Sequence, residues 1–281
     1  MNRPIALITG ASRGLGLALA TGLAREGYSL ILDARNATAL TKAAATLRTT
    51  AARGEQSELR DRPDAKASEG PSGRVILRRE PERAGGSGGL VSTPQKIQEI
   101  LAIAGDVTDP AHRAALREAV AAHGGLDLLI NNAGTLGAHP LPALADYPLG
   151  QLRDAFDVNV LAPLALTQLL LPTLRERGGA VLNITSDAAV EPYSGWGGYG
   201  AAKAALEQMS NVLAAEEATV RVWWADPGDL HTDMHQQAFP GEDISDRPLP
   251  AAVVPGFIRL ITERLPSGRY RATDLLPLVA S

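Results

Sequence analysis

The sequence predicts an α/β fold built on a doubly wound, mostly parallel sheet. Short apolar runs alternate with longer helical patterns along most of the 281 residues, as expected for crossover units that join parallel strands. The runs are continuously apolar, which is typical of strands covered on both faces. Because such crossovers are right-handed, successive units wind helices onto both faces of one sheet.

The predicted elements follow one another in a regular order. In the first half, strands and helices alternate at 5–10, 15–27, 29–35, 37–52, 101–109, 110–125 and 126–134. Proline directly after Asp109 and glycine at position 27 are typical helix boundaries. The second half contains a long helical stretch, then strands and helices, and Pro255 is expected to interrupt the last helix; these elements lie at 147–179, 180–186, 199–216, 220–228, 251–265 and 268–275.

One segment breaks this alternation. Residues 53–93 are rich in Gly, Ser, Pro, Arg and Glu and lie between the second helix and the third strand, where a short connection is usual. We expect a mobile insertion there, with a short strand at "RVILRR", acting either as a lid or as a tolerated surface excursion. The whole chain, 1–281, is otherwise expected to form a single domain.

Composition narrows the function classes. The net charge of −4 predicts no general attraction to nucleic acid or anionic membrane. Without cysteine, disulfides, thiolate metal sites and cysteine nucleophiles are excluded. The start, "MNRPIALITGAS", has too short an apolar run for a signal peptide, and "VLAPLALTQLLLPTL" carries polar residues and two prolines, so a cytoplasmic protein without membrane spans is expected. The histidines at 139, 231 and 235 have no metal-like spacing to a carboxylate, and no metal site is expected.

The stretch "TGASRGLG" lies between a predicted strand and a predicted helix, as a dinucleotide phosphate loop does. Gly10 permits a tight turn, Gly14 lets the backbone approach a pyrophosphate, and Gly16 lets helix and strand pack closely. The helix start supplies free amide donors to an anionic phosphate. The spacing G-x-x-x-G-x-G differs from the commoner G-x-G-x-x-G, and a glycine-rich turn without a ligand is the alternative. The combination favours a Rossmann-type fold.

The stretch "YGAAK" places Tyr199 and Lys203 four residues apart at the head of a predicted helix, on one face. A neighbouring ammonium favours the phenolate form of a tyrosine, which otherwise titrates near pH ~10. The pair would therefore suit acid–base chemistry. The alternative is that Tyr199 packs on the core while Lys203 points to water.

Five motifs in register resemble those of the short-chain dehydrogenase/reductase family. "TGASRGLG" is similar to its cofactor loop, "NNAG" at 131–134 to its second motif, and "YGAAK" to its Tyr-x-x-x-Lys motif. Ser186 lies 13 positions before Tyr199, Asn159 lies 27 before Ser186, and "DPGDLHT" resembles a Pro-Gly-x-x-x-Thr segment at the nicotinamide end. The resemblance spans residues 5 to about 235.

The resemblance implies catalytic roles for four residues. Tyr199 would exchange a proton with a substrate carbonyl oxygen as hydride moves, and Lys203 would lower its pKa and reach the nicotinamide ribose. Ser186 would donate a hydrogen bond to the same oxygen. Asn159 would lie at a local helix distortion and hold a water linked to the lysine.

The resemblance also implies a nicotinamide cofactor and the residues that bind it. Asp106 would contact the adenine, unless it only caps a turn together with Asp109, and Asn131, Ala133 and Gly134 would line the ribose side. The expected cofactor-binding residues are Gly10, Ser12, Arg13, Gly14, Leu15, Gly16, Arg35, Asp106, Val107, Asn132, Ala133, Gly134, Tyr199, Lys203, Pro227, Gly228 and Thr232.

The end of the second strand favours NADP over NAD. By the resemblance, the acid that selects NAD would fall at Ala34 and Arg35 and Arg13 would occupy positions typical of NADP-users; two guanidinium groups suit a 2′-phosphate. If the register is shifted by one, Asp33 would repel that phosphate and select NAD. NADP is the favoured cofactor, and NAD is the alternative.

The substrate is expected to be a small carbonyl or alcohol compound. Its pocket should be formed by residues 135–141, 187–196 and a substrate loop at 229–256, which include His139, Asp187, Tyr193, Trp196, His231 and His235. Asp187 would repel acidic substrates or bind an amine or hydroxyl group, unless it faces solvent or caps a turn. Trp223 and Trp224 are expected in the core or an interface. Helices at 144–173 and 199–217 would form a homodimer or homotetramer interface, by resemblance.

Three functions are compatible with these residues. The first is NADP-dependent reduction of a ketone or aldehyde, or oxidation of an alcohol. The second is a catalytically silent NAD(P)-binding regulatory protein, against which the intact Asn159, Ser186, Tyr199 and Lys203 argue. The third is a non-redox or enoyl step by the same residues.

Overall fold

The structure is a computed structural model that describes residues 3–60, 67–69, 75–77 and 98–277. Its centre is a seven-stranded, entirely parallel sheet in the order β5-β2-β1-β6-β7-β8-β9. The strands are β1 Ile5–Ile8, β2 Ser29–Ala34, β5 Ile100–Ala104, β6 Leu128–Asn131, β7 Ala180–Ile184, β8 Arg221–Asp226 and β9 Gly268–Arg271. The predicted doubly wound sheet is confirmed, including the last strand.

The helices cover both faces of this sheet. They are α1 Gly14–Arg25, α2 Ala37–Arg60, α3 Pro110–Ala122, α4 Leu149–Phe156, α5 Ala162–Arg177, α6 Gly197–Glu216, α7 Asp233–Ala238 and α8 Val254–Thr262. As predicted, Asp109 caps α3 by accepting a hydrogen bond from the Ala111 amide. Pro255 does not interrupt α8, because it lies in the first turn, where no amide donor is needed.

Two hydrophobic cores lie between the sheet and its helices, one on each face. On one face, side chains such as Leu19, Leu32 and Phe257 pack together with Trp223, which is fully buried as expected. On the other face, Ile31 packs with α3 and α5. Because neighbouring residues of β2 thus face opposite cores, its side chains alternate between the two faces, and this alternation fixes the direction of Asp33.

The expected insertion at 53–93 falls mostly outside the described residues. Within it, the structure continues α2 to Arg60, well beyond the predicted end at 52. It also has a short antiparallel pair, β3 Ala67–Glu69 with β4 Val75–Leu77. The second of these strands lies in the predicted "RVILRR" segment.

Helices α4 and α5 are joined without a break by a π-helical turn, Asp157–Leu161. The combined stretch Leu149–Arg177 is long and apolar enough to cross a membrane, and the prolines that argued against such a span do not break it. Leu166, Leu170 and Leu174 nevertheless pack on the sheet, as in a core helix of a globular domain.

Candidate active site

A cleft of about 1340 Å³ runs along the carboxyl ends of the strands. It passes the point where β1 pairs with both β2 and β6, which is where open α/β sheets bind ligands. Of the residues predicted to be catalytic or to bind the cofactor, Gly16, Asn131 and Asn159 do not line it. Those that do are Gly10, Ser12, Arg13, Gly14, Leu15, Arg35, Asp106, Val107, Asn132, Ala133, Gly134, Ser186, Tyr199, Lys203, Pro227, Gly228 and Thr232.

The glycine-rich loop turns tightly from β1 into α1. Gly10 has φ +67°, a conformation that side chains rarely adopt. A Cβ on Gly16 would lie on the Gly10 carbonyl and 2.5 Å from Asn132 Nδ2. The loop is thus packed against the chain after β6. Gly14 and Leu15, at the start of α1, line the cleft, and the free amides of a helix start suit an anion.

The segment after β6 holds this loop in place. Asn132 Nδ2 donates to the Thr9 carbonyl at 2.9 Å, and the amides of Asn132 and Ala133 donate to Thr9 Oγ1 at 3.0 Å. Asn131, by contrast, is buried and donates to Asn183 Oδ1 at 2.8 Å. The expectation that Asn131 lines the ribose side is therefore wrong, since its side chain points between β6 and β7.

Asp33, Arg35 and Asp106 lie at one end of the cleft, which we call the Arg35 end. Arg35 is exposed, whereas Asp33 is buried and its Oδ1 lies 2.6 Å from His112 Nε2 of α3. The His112 ring occupies the space that a Cβ on Gly105 would fill. Burial raises the pKa of Asp33 to about 6, and His112 opposes the rise. The Asp33 carboxylate is thus held on the α3 face and paired there.

Asp106 does cap a turn, as the alternative expectation had it. Its Oδ1 accepts from the Thr108 amide at 2.9 Å and from Thr108 Oγ1 at 2.8 Å. Burial would raise the pKa of Asp106, but these hydrogen bonds outweigh it and, with Arg35 nearby, lower it. Asp106 is therefore a fixed anion that also lines the cleft.

Arg13 bridges the glycine-rich loop to the segment after β8. Its Nη1 lies 2.5 Å from Asp233 Oδ2, with both side chains mostly exposed. Asp233 is the first residue of α7, which Thr232 caps by accepting from the His235 amide. The bridge therefore connects the loop at one side of the cleft to the predicted substrate loop at the other.

Tyr199 lies in the first turn of α6 and is only 8% exposed, facing the cleft. The glycines on either side of it allow this close packing. A Cβ on Gly198 would collide with the Tyr147 ring, and one on Gly200 with the Ala188 carbonyl. Small residues therefore press the start of α6 against the turn after β7, where Ser186 lies.

Lys203 lies one turn further along α6 and is buried. Its Nζ donates to the Ile184 carbonyl at 2.7 Å and lies 5.6 Å from the Tyr199 ring centre. Burial lowers the pKa of Lys203 to about 8. The pKa of Tyr199 is raised by burial, against a hydrogen bond with Ser186, so the expected lowering by Lys203 is not seen because desolvation dominates.

Ser186 lies two residues after the end of β7 and interacts with its neighbour Asp187. Its Oγ accepts from the Ala188 amide at 3.2 Å and donates to Asp187 Oδ1 at 3.0 Å. Asp187 Oδ2 accepts from Tyr193 Oη at 2.9 Å. Asp187, Tyr193 and Trp196 line the cleft at what we call the Asp187 end.

Asn159 lies in the π-helical turn, in agreement with the helix distortion that the resemblance implied. It is fully buried and outside the cleft. Its Nδ2 donates to the Thr135 carbonyl at 2.8 Å, and its Oδ1 accepts from the Thr135 amide at 3.0 Å. The side chain thus fastens the loop that follows Gly134, and its link to a water stays a prediction.

The remaining cleft walls come mainly from the predicted regions. His139, Trp196, His231 and His235 line the cleft. Residues of the substrate loop that were not singled out from the sequence line it as well: Asp229, Leu230, Asp233, Met234, Gln237, Phe239, Leu249, Pro250 and Ala251. Leu17, Ala18, Asn36 and Ala39 were missed entirely, although their place just after the glycine loop and after Arg35 was a signal. Within the described residues, no group of three His, Asp or Glu side chains could hold a metal.

Comparison with known proteins identifies the family. The family model described as short chain dehydrogenase matches residues 4–68 and 75–243. The chain belongs to the short-chain dehydrogenase family. It is therefore an NAD(P)-dependent oxidoreductase by family.

Individual relatives agree with this membership. The chain is 32% identical over 240 residues to sepiapterin reductase of Mus musculus, which covers 83% of this chain and 77% of that protein. It is 32% identical over 180 residues to benzil reductase of Saccharomyces cerevisiae, covering 61% and 64%. A short chain dehydrogenase of Escherichia coli CFT073, solved with NADPH, superposes with a TM-score of 0.75 at 27% identity, covering 97% of each chain.

Proposed function

We propose that this chain is an NADPH-dependent reductase of ketones or aldehydes, with Tyr199 as the proton donor. The observation that carries the proposal is the convergence of Ser186, Tyr199 and Lys203 at one wall of the cleft. Two reductases among the relatives, for sepiapterin and for benzil, support the reaction class. The substrate of this chain is taken up below.

The environment of Tyr199 suits the direction of reduction. A tyrosine at its ordinary pKa of ~10 is already protonated at neutral pH, and burial, which raises the pKa of Tyr199, keeps it so; the proton needed for reduction is therefore on the phenol before hydride transfer. The bound cofactor would supply hydride to the carbonyl carbon. Ser186 and Tyr199 would both donate hydrogen bonds to the carbonyl oxygen, stabilising negative charge as it forms. Lys203, as a nearby cation, would then stabilise the phenolate that remains.

The Arg35 end fits a cofactor with a 2′-phosphate. Asp33, which would have repelled such a phosphate, is turned toward α3 and paired with His112, while the exposed Arg35 lines the cleft. Arg13 and the amides at the start of α1 would bind further phosphate oxygens. The NADPH complex of the Escherichia coli relative supports the same choice.

A homo-oligomer in the cytoplasm is part of the proposal. Apolar side chains are exposed on the outer side of α6 and on the π-helical turn, with Val212 45% and Leu161 51% exposed. Such residues favour a helix-on-helix interface with a second copy of the chain. The single-domain organisation over 1–281 belongs to the same proposal.

The test is NADPH oxidation with a panel of ketones and aldehydes, compared with Tyr199→Phe. We expect the variant to lose at least about a hundredfold in kcat, the usual contribution of a positioned acid. Thermal protection by NADPH should persist, because binding to the folded state raises stability.

Other outcomes would replace the proposal. NADPH binding without reduction of any carbonyl would favour the silent regulatory protein. Product formed without NADPH consumption would indicate a non-redox step. Full turnover by Tyr199→Phe would remove the tyrosine from the mechanism.

A further inference from the structure

Asp187 has two hydroxyl partners and no cationic one in the cleft. Its Oδ1 accepts from Ser186 and its Oδ2 from Tyr193. Nearby aspartates of the cleft each have a cation: Asp233 faces Arg13, Asp229 lies 3.8 Å from Arg247, and Asp226 lies 3.7 Å from Arg271. Among the residues that the structure describes, Asp187 forms no such ion pair, so its charge is left for a ligand.

The surroundings of Asp187 make this end of the cleft negative. Asp226 and Asp229 line the same cleft, but each faces an arginine, so among these described carboxylates Asp187 is the one whose charge no cation offsets. Burial is the main cause of the raised pKa of Tyr199, and the charges of Asp226 and Asp187 raise that pKa further. A carboxylate-bearing substrate would therefore be repelled, and a cationic one attracted.

Ser186 cannot serve Asp187 and a substrate oxygen at once, because its hydroxyl has one proton. When Ser186 donates to the carbonyl oxygen, Asp187 Oδ1 loses its donor. Once a substrate covers the half-buried Asp187, a carboxylate oxygen left without a donor costs free energy. A substrate that brings its own N–H donor would restore that hydrogen bond. A donor on the carbon next to the carbonyl is within reach, since Ser186 Oγ lies 3.0 Å from Oδ1.

We propose that Asp187 is a specificity-determining residue and that the substrate is a carbonyl compound with a protonated nitrogen on the adjacent carbon. The inference rests on the proposed reductase function. The nitrogen takes no part in the redox step. Hydride adds to the carbonyl carbon, the π electron pair moves to oxygen, and that oxygen takes the proton from Tyr199, giving an amino alcohol and oxidised cofactor.

The test compares three aryl ketones that differ in one group: α-(methylamino)acetophenone, butyrophenone as its neutral isostere, and β-benzoylpropionate as an anion. With NADPH at slightly acidic pH, we expect kcat/KM for the ammonium ketone to exceed that for butyrophenone about tenfold or more. The anion should be poorest. Asp187→Asn keeps the shape and removes the charge, so the preference should fall to near unity; Asp187→Ser should do the same.

Glu191→Gln is the matched control, because it removes an exposed carboxylate nearby that does not line the cleft. It should keep the preference. Equal kcat/KM for ammonium and neutral ketones in the wild type, or an unchanged ratio in Asp187→Asn, would overturn the proposal.

Binding separates this proposal from the proposed reaction. Calorimetry of the same ketones with the NADP⁺-loaded protein needs no turnover. The ammonium ketone should bind about tenfold more tightly than butyrophenone, the anion should bind most weakly, and Asp187→Asn should remove the preference for the ammonium ketone. That binding order without any reduction would support the role of Asp187 and reject the reductase. Reduction of all three ketones with no binding order would do the reverse.

Discussion

The two ends of the cleft both contain aspartates but compensate them differently. At the Arg35 end, Asp33 is buried and paired with His112, and Asp106, which keeps its charge, accepts hydrogen bonds from Thr108 and lies near the Arg35 cation. At the Asp187 end, the carboxylate has hydroxyl partners only. A carboxylate beside a phosphate site must be neutralised by the protein itself, whereas a carboxylate in a substrate site can be left for the ligand to neutralise.

The largest effect should come from breaking the pair at the Arg35 end. His112→Leu leaves the buried Asp33 without its partner, so we expect the free energy of unfolding at neutral pH to fall by about 3 kcal/mol. Urea unfolding measures this change. The double variant Asp33→Leu/His112→Leu should recover much of it, since replacing both members of a buried pair is far less costly; a double variant as unstable as the single one would contradict the pairing.

The same Asp33–His112 pair should make the free energy of unfolding depend on pH. The pKa of Asp33 in the fold, about 6, lies above its ordinary 3.8, so the folded state binds the proton more tightly than the unfolded chain does. Asp33 therefore reduces stability as the pH rises from about 4 through 6. His112 holds the pKa of Asp33 down, so in His112→Leu that pKa should lie above 6, and the stability deficit of the variant should shrink as the pH falls from above neutral toward about 6; a constant deficit would argue against Asp33 as its source.

The next largest effect should come from disturbing the packing of the glycine-rich loop. Gly16→Ala places a methyl on the Gly10 carbonyl and near Asn132, so stability should fall by about 1–3 kcal/mol and NADPH protection should weaken. Gly150→Ala is the control, because its Cβ meets nothing within 4 Å, and helix α4 should gain slightly. Equal melting temperatures for Gly16→Ala and Gly150→Ala would mean that the glycine-rich loop is not tightly packed.

A smaller effect is expected at Arg35 itself. Arg35→Gln should weaken NADPH binding about tenfold, through loss of a charge-assisted contact to the 2′-phosphate, and leave NADH binding unchanged. Calorimetric titration with both cofactors measures the difference. Arg25→Gln removes the same charge from the last turn of α1 and should change neither; an equal loss for NADH would mean that Arg35 does not recognise that phosphate.

The smallest effect should come from the exposed bridge that spans the cleft. Asp233→Asn frees Arg13 for cofactor phosphate, so NADPH affinity should rise two- to fivefold, within the roughly 1 kcal/mol that exposed pairs contribute. High salt should erase the difference. Glu263→Gln, in the exposed pair with Arg259, is the control and should leave affinity alone; weaker binding by Asp233→Asn would mean that the bridge helps to order the site.

The sequence predicted the parts of this molecule that depend on backbone geometry. The parallel sheet covered by helices, the turn at Gly10 and the face shared by Tyr199 and Lys203 follow from periodicity, glycine and helical spacing. Side-chain direction did not follow in the same way. Asp33, Asn131 and Asn159 find their partners on segments distant in sequence, namely His112, Asn183 and Thr135, so only the folded chain shows which way each points.

The sign of the pKa shift at Tyr199 was missed for a related reason. Spacing showed that an ammonium would be near, but not how completely the phenol and the ammonium are withdrawn from water. Desolvation acts on both groups, raising one pKa and lowering the other. Its size depends on the glycines around Tyr199, whose packing partners lie elsewhere in the chain.

The π-helical turn between α4 and α5 amounts to one residue more than a regular helix would hold. Each residue turns a helix by about 100°, so deleting Val158 would leave an unbroken α-helix with the two halves rotated against each other. Asn159 would then swing away from Thr135 while the apolar face of α5 stayed on the sheet. A single-codon deletion could thus keep the scaffold and unfasten the loop above the cleft.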